Sequence, residues 1–408
     1  MSNARLPWGS GLPCQWPIRN MKREVLTGDV VHYSFDVRVG PGEFDVIRLH
    51  RVVRERRPYR PMRTEDAVML FPGSPTFFEG LYIEPSISAI SPDRSIAVFL
   101  AKHHIDVWGM DYAWALVPLD TTDFGFMKGW GVDRDVAHAQ AALALARLIR
   151  GGKDRFYLAG LSYGGLMSYA VAADDSQRPD VLRNVKGIIP MDIGVKWDDP
   201  DARGASCEAL AVDEDRIENQ GIYYGDDGIY LKMFGELALS APGDASPFEP
   251  SLTNYQWALL VGTSPNPPVS WHFVGGYLDA NGIPYDLRYT EPQLWLDLIK
   301  SNEPPYYPWQ TSFDLDAAWC DGAVDVPFDD HIPDIAVPIL YIGAAGGIGD
   351  FGVYTTTLTQ STDVTTLVVQ LLPDGLRMMD FGHGDVVAAR DAETLVWQPI
   401  LDWLTAHR

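Results

Sequence analysis

Gly160-Leu161-Ser162-Tyr163-Gly164-Gly165 sets a serine between glycines two residues away on either side. The residues before it, Phe156 to Ala159, read as a buried strand, and Leu166 to Ala173 reads as a helix. A Gly-x-Ser-x-Gly turn between strand and helix holds the serine out at the end of a sheet, on a strained backbone. Side chains at Gly160 and Gly164 would collide with the neighbouring strand and helix, and glycine removes the collision. The chemistry on offer is nucleophilic. Ser162 would attack a carbonyl carbon, and the N–H of Tyr163, at the helix N-terminus, would meet the negative charge that develops.

A serine nucleophile needs a base within hydrogen-bond reach, and the base needs an orienting acid. Of nine histidines, His383 sits after the last core strand and before the closing helix, in Asp380-Phe381-Gly382-His383-Gly384. The flanking glycines let that loop bend over Ser162. His32 and His50 fall in an early hairpin, His138 on a helix, and His272 and His331 in or near an insertion. For the acid, the glycine-rich loop from Gly343 ends in Asp350, which is the first choice; Asp192, at the end of the strand after the serine, is the alternative. A second N–H for the oxyanion is expected from the loop after the strand Ala67 to Phe71. Pro72 and Pro75 have none to give, which leaves Gly73 and Ser74, with Ser74 favoured.

These residues need a scaffold. Ala67 to Phe71, Ile105 to Gly109, Phe156 to Ala159 and Val185 to Met191 read as strands. Helices separate them, at about Ser91 to Lys102, Asp133 to Ile149 and Leu166 to Ala173. That alternation predicts an α/β fold with a mostly parallel sheet and helices on both faces. Val337 to Gly343 and Leu367 to Leu372 resume it, and Leu395 to Leu404 closes the chain as an amphipathic helix. Between them the pattern breaks. Ten acids and two arginines from Asp198 to Asp227 lead into a segment rich in tryptophan and tyrosine. The expected organisation is a core over residues 1–194, an inserted cap over 195–333, and the core again over 334–408. Ahead of it all, residues 1–24 read as an irregular arm, and Val30 to Val39 with Phe44 to Val53 read as a hairpin.

The chain has 408 residues, 46% hydrophobic and 21% charged, with a net charge of −23. Such a charge argues against nucleic acid and anionic membranes as partners. Seven arginines between Arg48 and Arg63 read as a solvent face neutralised by the acidic body. Cys14, Cys207 and Cys320 are too sparse for a disulfide framework or a zinc site, although Cys14 and Cys207 could pair. Adjacent His103 and His104 suit a helix end better than a metal. No signal peptide and no membrane span is visible, so a cytoplasmic enzyme is expected.

Pro72-Gly73, the Gly160 to Gly165 run, Asp350 and His383 together resemble the α/β-hydrolase superfamily, and Ile105 to Asp111 is similar to a strand of its lipase and esterase branches. The resemblance covers about residues 66–194 and 334–408. It implies an eight-stranded sheet, a Ser–Asp–His triad and no metal or organic cofactor. Two features depart from the family: Pro72-Gly73 stands where His-Gly is usual, and Asp350 lies seven residues past Gly343. The function expected is hydrolysis of a small hydrophobic ester or lactone. The other readings are another reaction of the same triad (on a peptide, a C–C bond or by acyl transfer) and a non-catalytic binding protein. Oligomeric state is open.

Overall fold

The computed structural model describes residues 18–83, 93–152, 154–302, 306–320 and 324–408. Nine strands form one continuous path. They are β1 (Ile18–Thr27), β2 (Val30–Arg38), β3 (Val46–Arg57), β4 (Asp66–Phe71), β5 (Ile105–Asp111), β6 (Phe156–Leu161), β7 (Val185–Met191), β8 (Ile339–Ala344) and β9 (Val364–Val369). Their order is β1-β2-β3-β5-β4-β6-β7-β8-β9, and a two-residue strand, Arg60–Pro61, pairs with β3. β1, β2, β3 and β5 run antiparallel in turn; from β5 to β9 every pairing is parallel.

Among the described residues the sheet therefore has ten strands where eight were expected. β1 replaces part of the irregular arm. It is a mostly exposed edge strand rich in charge, which hides its period from sequence and discourages edge-to-edge association. The remaining arm, including Cys14, lies outside the described residues.

Alternation along the buried strands divides the core in two. Ala67, Met69 and Phe71 of β4, with Phe156 and Leu158 of β6, face α3 (Val132–Ile149) and α4 (Tyr163–Ser176). Val68, Leu70, Tyr157 and Ala159 point the other way, into a cluster with α2 (Ile96–Lys102) and the closing helix (Gln398–Ala406). Before α2 comes α1 (Phe78–Tyr82), a short turn after the Pro72 loop. The expected helix start at Ser91-Pro92 falls on residues outside those described; α2 begins later, capped by Ser95, whose hydroxyl accepts from Val98 N–H. Within the arginine run, Arg48, Arg51 and Arg54 pair with Asp36, Asp106 and Asp29, each at 2.8 Å; Asp106 is buried and Arg51 half-buried, so that pair is not on a solvent face.

Between β7 and β8 the chain leaves the main sheet for α5 (Pro200–Glu214), α6 (Asp227–Ser240), α7 (Asn254–Thr263), α8 (Pro292–Lys300) and α9 (Trp309–Cys320), with two small two-stranded sheets. Ala238, Ala258, Leu259, Trp295 and Ile299 give this segment a core of its own, whereas Leu315, Ala317 and Ala318 of α9 join the main core. Cys207 on α5 is bonded to Cys320 on α9, across 113 residues. That corrects the reading of the cysteines. The two helices pack side by side, a contact that residue spacing does not reveal. Among the described residues no helix is long and apolar enough to cross a membrane.

Candidate active site

Ser162 lies between β6 and α4 with φ 58° and ψ −126°, a backbone that few non-glycine residues adopt. The glycines around it have measurable reasons. A Cβ on Gly164 would stand 1.8 Å from the Phe71 carbonyl oxygen, and one on Gly160 would stand 2.4 Å from Gly164. From below, the Tyr82 hydroxyl holds the turn: it donates to the Phe71 carbonyl at 2.7 Å and accepts the Leu161 N–H at 3.1 Å. Tyr82 was missed on sequence, because nothing in its spacing marks it.

His383 is buried, and its Nδ1 lies 2.7 Å from Oδ2 of Asp192, which is itself fully buried. The acid at the imidazole is thus Asp192, and the first choice, Asp350, is corrected. Asp350 is exposed on a single 3₁₀ turn and opens to a separate polar cleft with Asp374 and Arg377. The physical reason lies in the glycine-rich loop. Instead of presenting Asp350, it wraps Asp192: Oδ1 accepts the N–H of Ala344 at 2.8 Å and of Gly349 at 2.7 Å, and Oδ2 accepts that of Ile348 at 3.0 Å. A Cβ on Gly347 would fall 2.0 Å from Oδ2. Three N–H donors thus meet the acceptor oxygens of a carboxyl group that is fully buried.

The His383 loop is held from two sides. Asp385 accepts the N–H groups of Gly382 and Gly275 and the hydroxyl of Thr290, and burial pushes its carboxyl up to about 7. His383 and Gly384 donate their N–H groups to the carbonyls of His272 and Phe273, so the inserted segment is strapped to the loop. The Trp271 ring packs 4.7 Å from the imidazole. His383 Nε2 is buried and has no hydrogen-bond partner among the described residues.

Ser162 and His383 line one cavity, together with Gly73 and Ser74. Among the described residues neither Gly73 nor Ser74 gives its N–H to an acceptor, and a Cβ on Gly73 would sit 3.1 Å from that of Ser162. Tyr163 N–H opens α4, where helix donors lack internal acceptors. The Tyr163 side chain turns away into the core and donates to Asp135 at 2.8 Å; burial raises the tyrosine well above its ordinary value and Asp135 to about 6. Tyr307, between β7 and β8 in sequence, packs its ring edge-on to Tyr163 and Trp114. The cavity walls are apolar, from Leu81, Leu231, Leu294, Trp295, Leu298 and Ile299 among others, and no charged side chain lines it among the described residues.

No protein-family model matches the sequence, and no curated protein matches it. Solved structures do. A candidate lipase from Sulfolobus solfataricus superposes with a TM-score of 0.66 at 20% identity, over 97% of this chain and 100% of that one. A thermophilic esterase from Thermogutta terrifontis follows at 0.45 and 14%, over 91% and 98% of the two chains. Proline iminopeptidase from Mycobacterium smegmatis gives 0.44 and 13%, over 95% and 98%. The first of these likenesses establishes a shared fold; at such identities none of them fixes a substrate.

Proposed function

We propose that this chain, which has the α/β-hydrolase fold, is a serine hydrolase that cleaves carboxylic esters or lactones with an apolar acyl group. One observation carries the reading: Ser162 and His383 open to the same apolar cavity, with Asp192 bonded behind the imidazole. His383 Nε2 takes the proton of Ser162 as Oγ attacks the ester carbonyl. The N–H groups of Tyr163 and of Ser74 hold the oxyanion. His383 then gives its proton to the leaving alcohol, and the acyl group remains on Ser162. Water, deprotonated by the same imidazole, releases the acid. Asp192 keeps the imidazole in the tautomer that bares Nε2 and stabilises its cationic form. No step calls on a cofactor.

In this reading residues 195–333 form the cap over a core made of 1–194 and 334–408. The substrate is a small hydrophobic molecule. The Cys207–Cys320 bond favours an oxidising compartment or a hyperthermophile's interior over a mesophile's cytoplasm.

The test is a fluorophosphonate probe followed by peptide mass spectrometry. The expected adduct is on Ser162, absent in Ser162→Ala and after prior incubation with substrate. An intact protein that no probe labels, and that cleaves no ester, would be a binding protein on the same scaffold.

A further inference from the structure

A second group of side chains, unused by that mechanism, crosses the antiparallel end of the sheet. His32 on β2 pairs with Val52, and His50 on β3 pairs with Ser34, so the two rings are diagonal neighbours on one face. Both are buried, with ring centroids 5.2 Å apart, and His32 Nε2 lies 2.9 Å from His50 Nδ1. On the far side, Asp111 at the end of β5 places Oδ2 at 2.9 Å from His50 Nε2. Glu79 of α1 covers the pair, its Oε1 being 3.9 Å from Nδ1 of each histidine. One donor atom from each of His32, His50 and Glu79 falls within 4.8 Å of the other two.

The partners set the protons. Asp111 accepts a hydrogen bond from Phe78 N–H at 2.7 Å as well as from His50, so His50 carries its hydrogen on Nε2 and bares Nδ1. If His32 donates through Nε2 to that nitrogen, its own Nδ1 is a lone pair facing the Glu79 carboxylate. A hydrogen-bond relay thus leaves two acceptors opposed. A cation among them resolves it, and a carboxylate behind a ligating histidine is the usual outer support of a metal site.

We propose that His32, His50 and Glu79 bind a divalent transition-metal ion, zinc being the best suited. Two imidazoles and one carboxylate match its ligand preferences, whereas imidazole disfavours magnesium and calcium. Four-coordinate zinc spaces its ligand atoms by about 3.4 Å, so the Glu79 oxygen, 3.9 Å from Nδ1 of each histidine, closes by roughly half an ångström. The Glu79 side chain is 33% exposed while His50 is 1% exposed, which gives the ion an entry and a water for the fourth position. Acidic groups surround the pair: Glu24 stands opposite His32 on β1, and Arg48, two residues from His50, is paired with Asp36. The ion would pin α1 to the sheet. That helix carries Leu81 into the cavity and Tyr82 beneath the Ser162 turn.

The full chain, stripped with EDTA, is titrated with zinc and, separately, with cobalt(II). The expected results are one equivalent bound, a rise in Tm with zinc, and the visible bands of four-coordinate cobalt. Glu79→Gln should weaken binding at least about 10-fold, and Asp111→Asn, acting through His50, about 10–100-fold. Glu79→Gln lies on the open side and carries the test if the Asp111 variant fails to fold by circular dichroism. Binding equal in Glu79→Gln and the parent would place the ion elsewhere, for example at the exposed His331–Asp334 pair, and overturn the proposal. So would the absence of stoichiometric binding at ~10 µM zinc.

Discussion

Oδ2 of Asp192 meets Nδ1 of His383 at 2.7 Å across 191 residues of sequence. The whole insertion is looped out between them, and the contact depends on β7 and β8 lying side by side. Asparagine at 192 would keep the shape but could not stabilise the imidazolium, and its amide would face N–H groups it cannot accept. Asp192→Asn is therefore expected to lower kcat about 10⁴-fold. Asp350→Asn, on an exposed turn, should stay within about twofold. Steady-state hydrolysis of a p-nitrophenyl ester by the two purified variants decides it. Comparable losses in both would break the assignment of the acid.

Much of the scaffold was legible because buried parallel strands are written as continuous apolar runs. β4, β6 and β7 are buried along nearly their whole length, and their limits differ from expectation by a residue or two. Ser162 and His383 were legible as candidates because glycines flank both: one pair serves a strained turn, and Gly382 lets its loop lie against the Phe273 carbonyl. The acid was not. Asp192 and Asp350 both follow C-terminal strand ends, and what separates them is the path of the loop. Only in three dimensions does Gly347 prove to be the residue that lets this loop close on a carboxylate. β1 and the Cys207–Cys320 bond were hidden likewise: charge masks an edge strand, and packing between α5 and α9 leaves no period to read.

The oxyanion loop yields a test of backbone against side chain. Ser74 in our reading acts through its N–H, which alanine keeps and proline lacks. Ser74→Ala removes only the hydroxyl and should cost little in kcat. Ser74→Pro removes one oxyanion donor, a loss of about 10²–10³ in kcat. Equal losses would mean that the hydroxyl matters, or that Gly73 is the donor.

Stability and activity should part company with pH. Burial, and then the negative charge of Asp213, push the Asp316 carboxyl up to about 7. Burial likewise raises Asp385 to about 7 and Asp135 and Asp314 to about 6. A carboxyl that binds its proton more tightly when folded contributes stability that is full below the unfolded value of about 3.9 and is lost as pH rises through the folded one. Tm should therefore fall between about pH 4 and 7, although a histidine base works better as it loses its proton. Asp316→Asn cannot ionise, so it should flatten that fall. Thermal scans of the variant that run parallel to the parent across this range would refute the raised Asp316 carboxyl.

The cavity gives the last prediction. Its walls near Ser162 are aliphatic and aromatic, supplied by α1, α6 and α8, and no charged side chain lines it among the described residues. Each further CH₂ of an acyl chain buried there is worth ~0.8 kcal/mol, nearly fourfold in affinity while room remains. kcat/KM for p-nitrophenyl esters should climb from acetate to at least butyrate or hexanoate. Esters bearing a second carboxylate should be poor substrates, because a buried anion would find no partner. Leu298, half-buried on α8, is one of the apolar residues that line the cavity. Leu298→Trp should shorten the space, cutting activity on hexanoate while sparing acetate. A rate that is flat or falling from acetate onward in the parent would retire the apolar-acyl specificity. It would leave the nucleophile and its base untouched, since those are tested separately by the probe on Ser162.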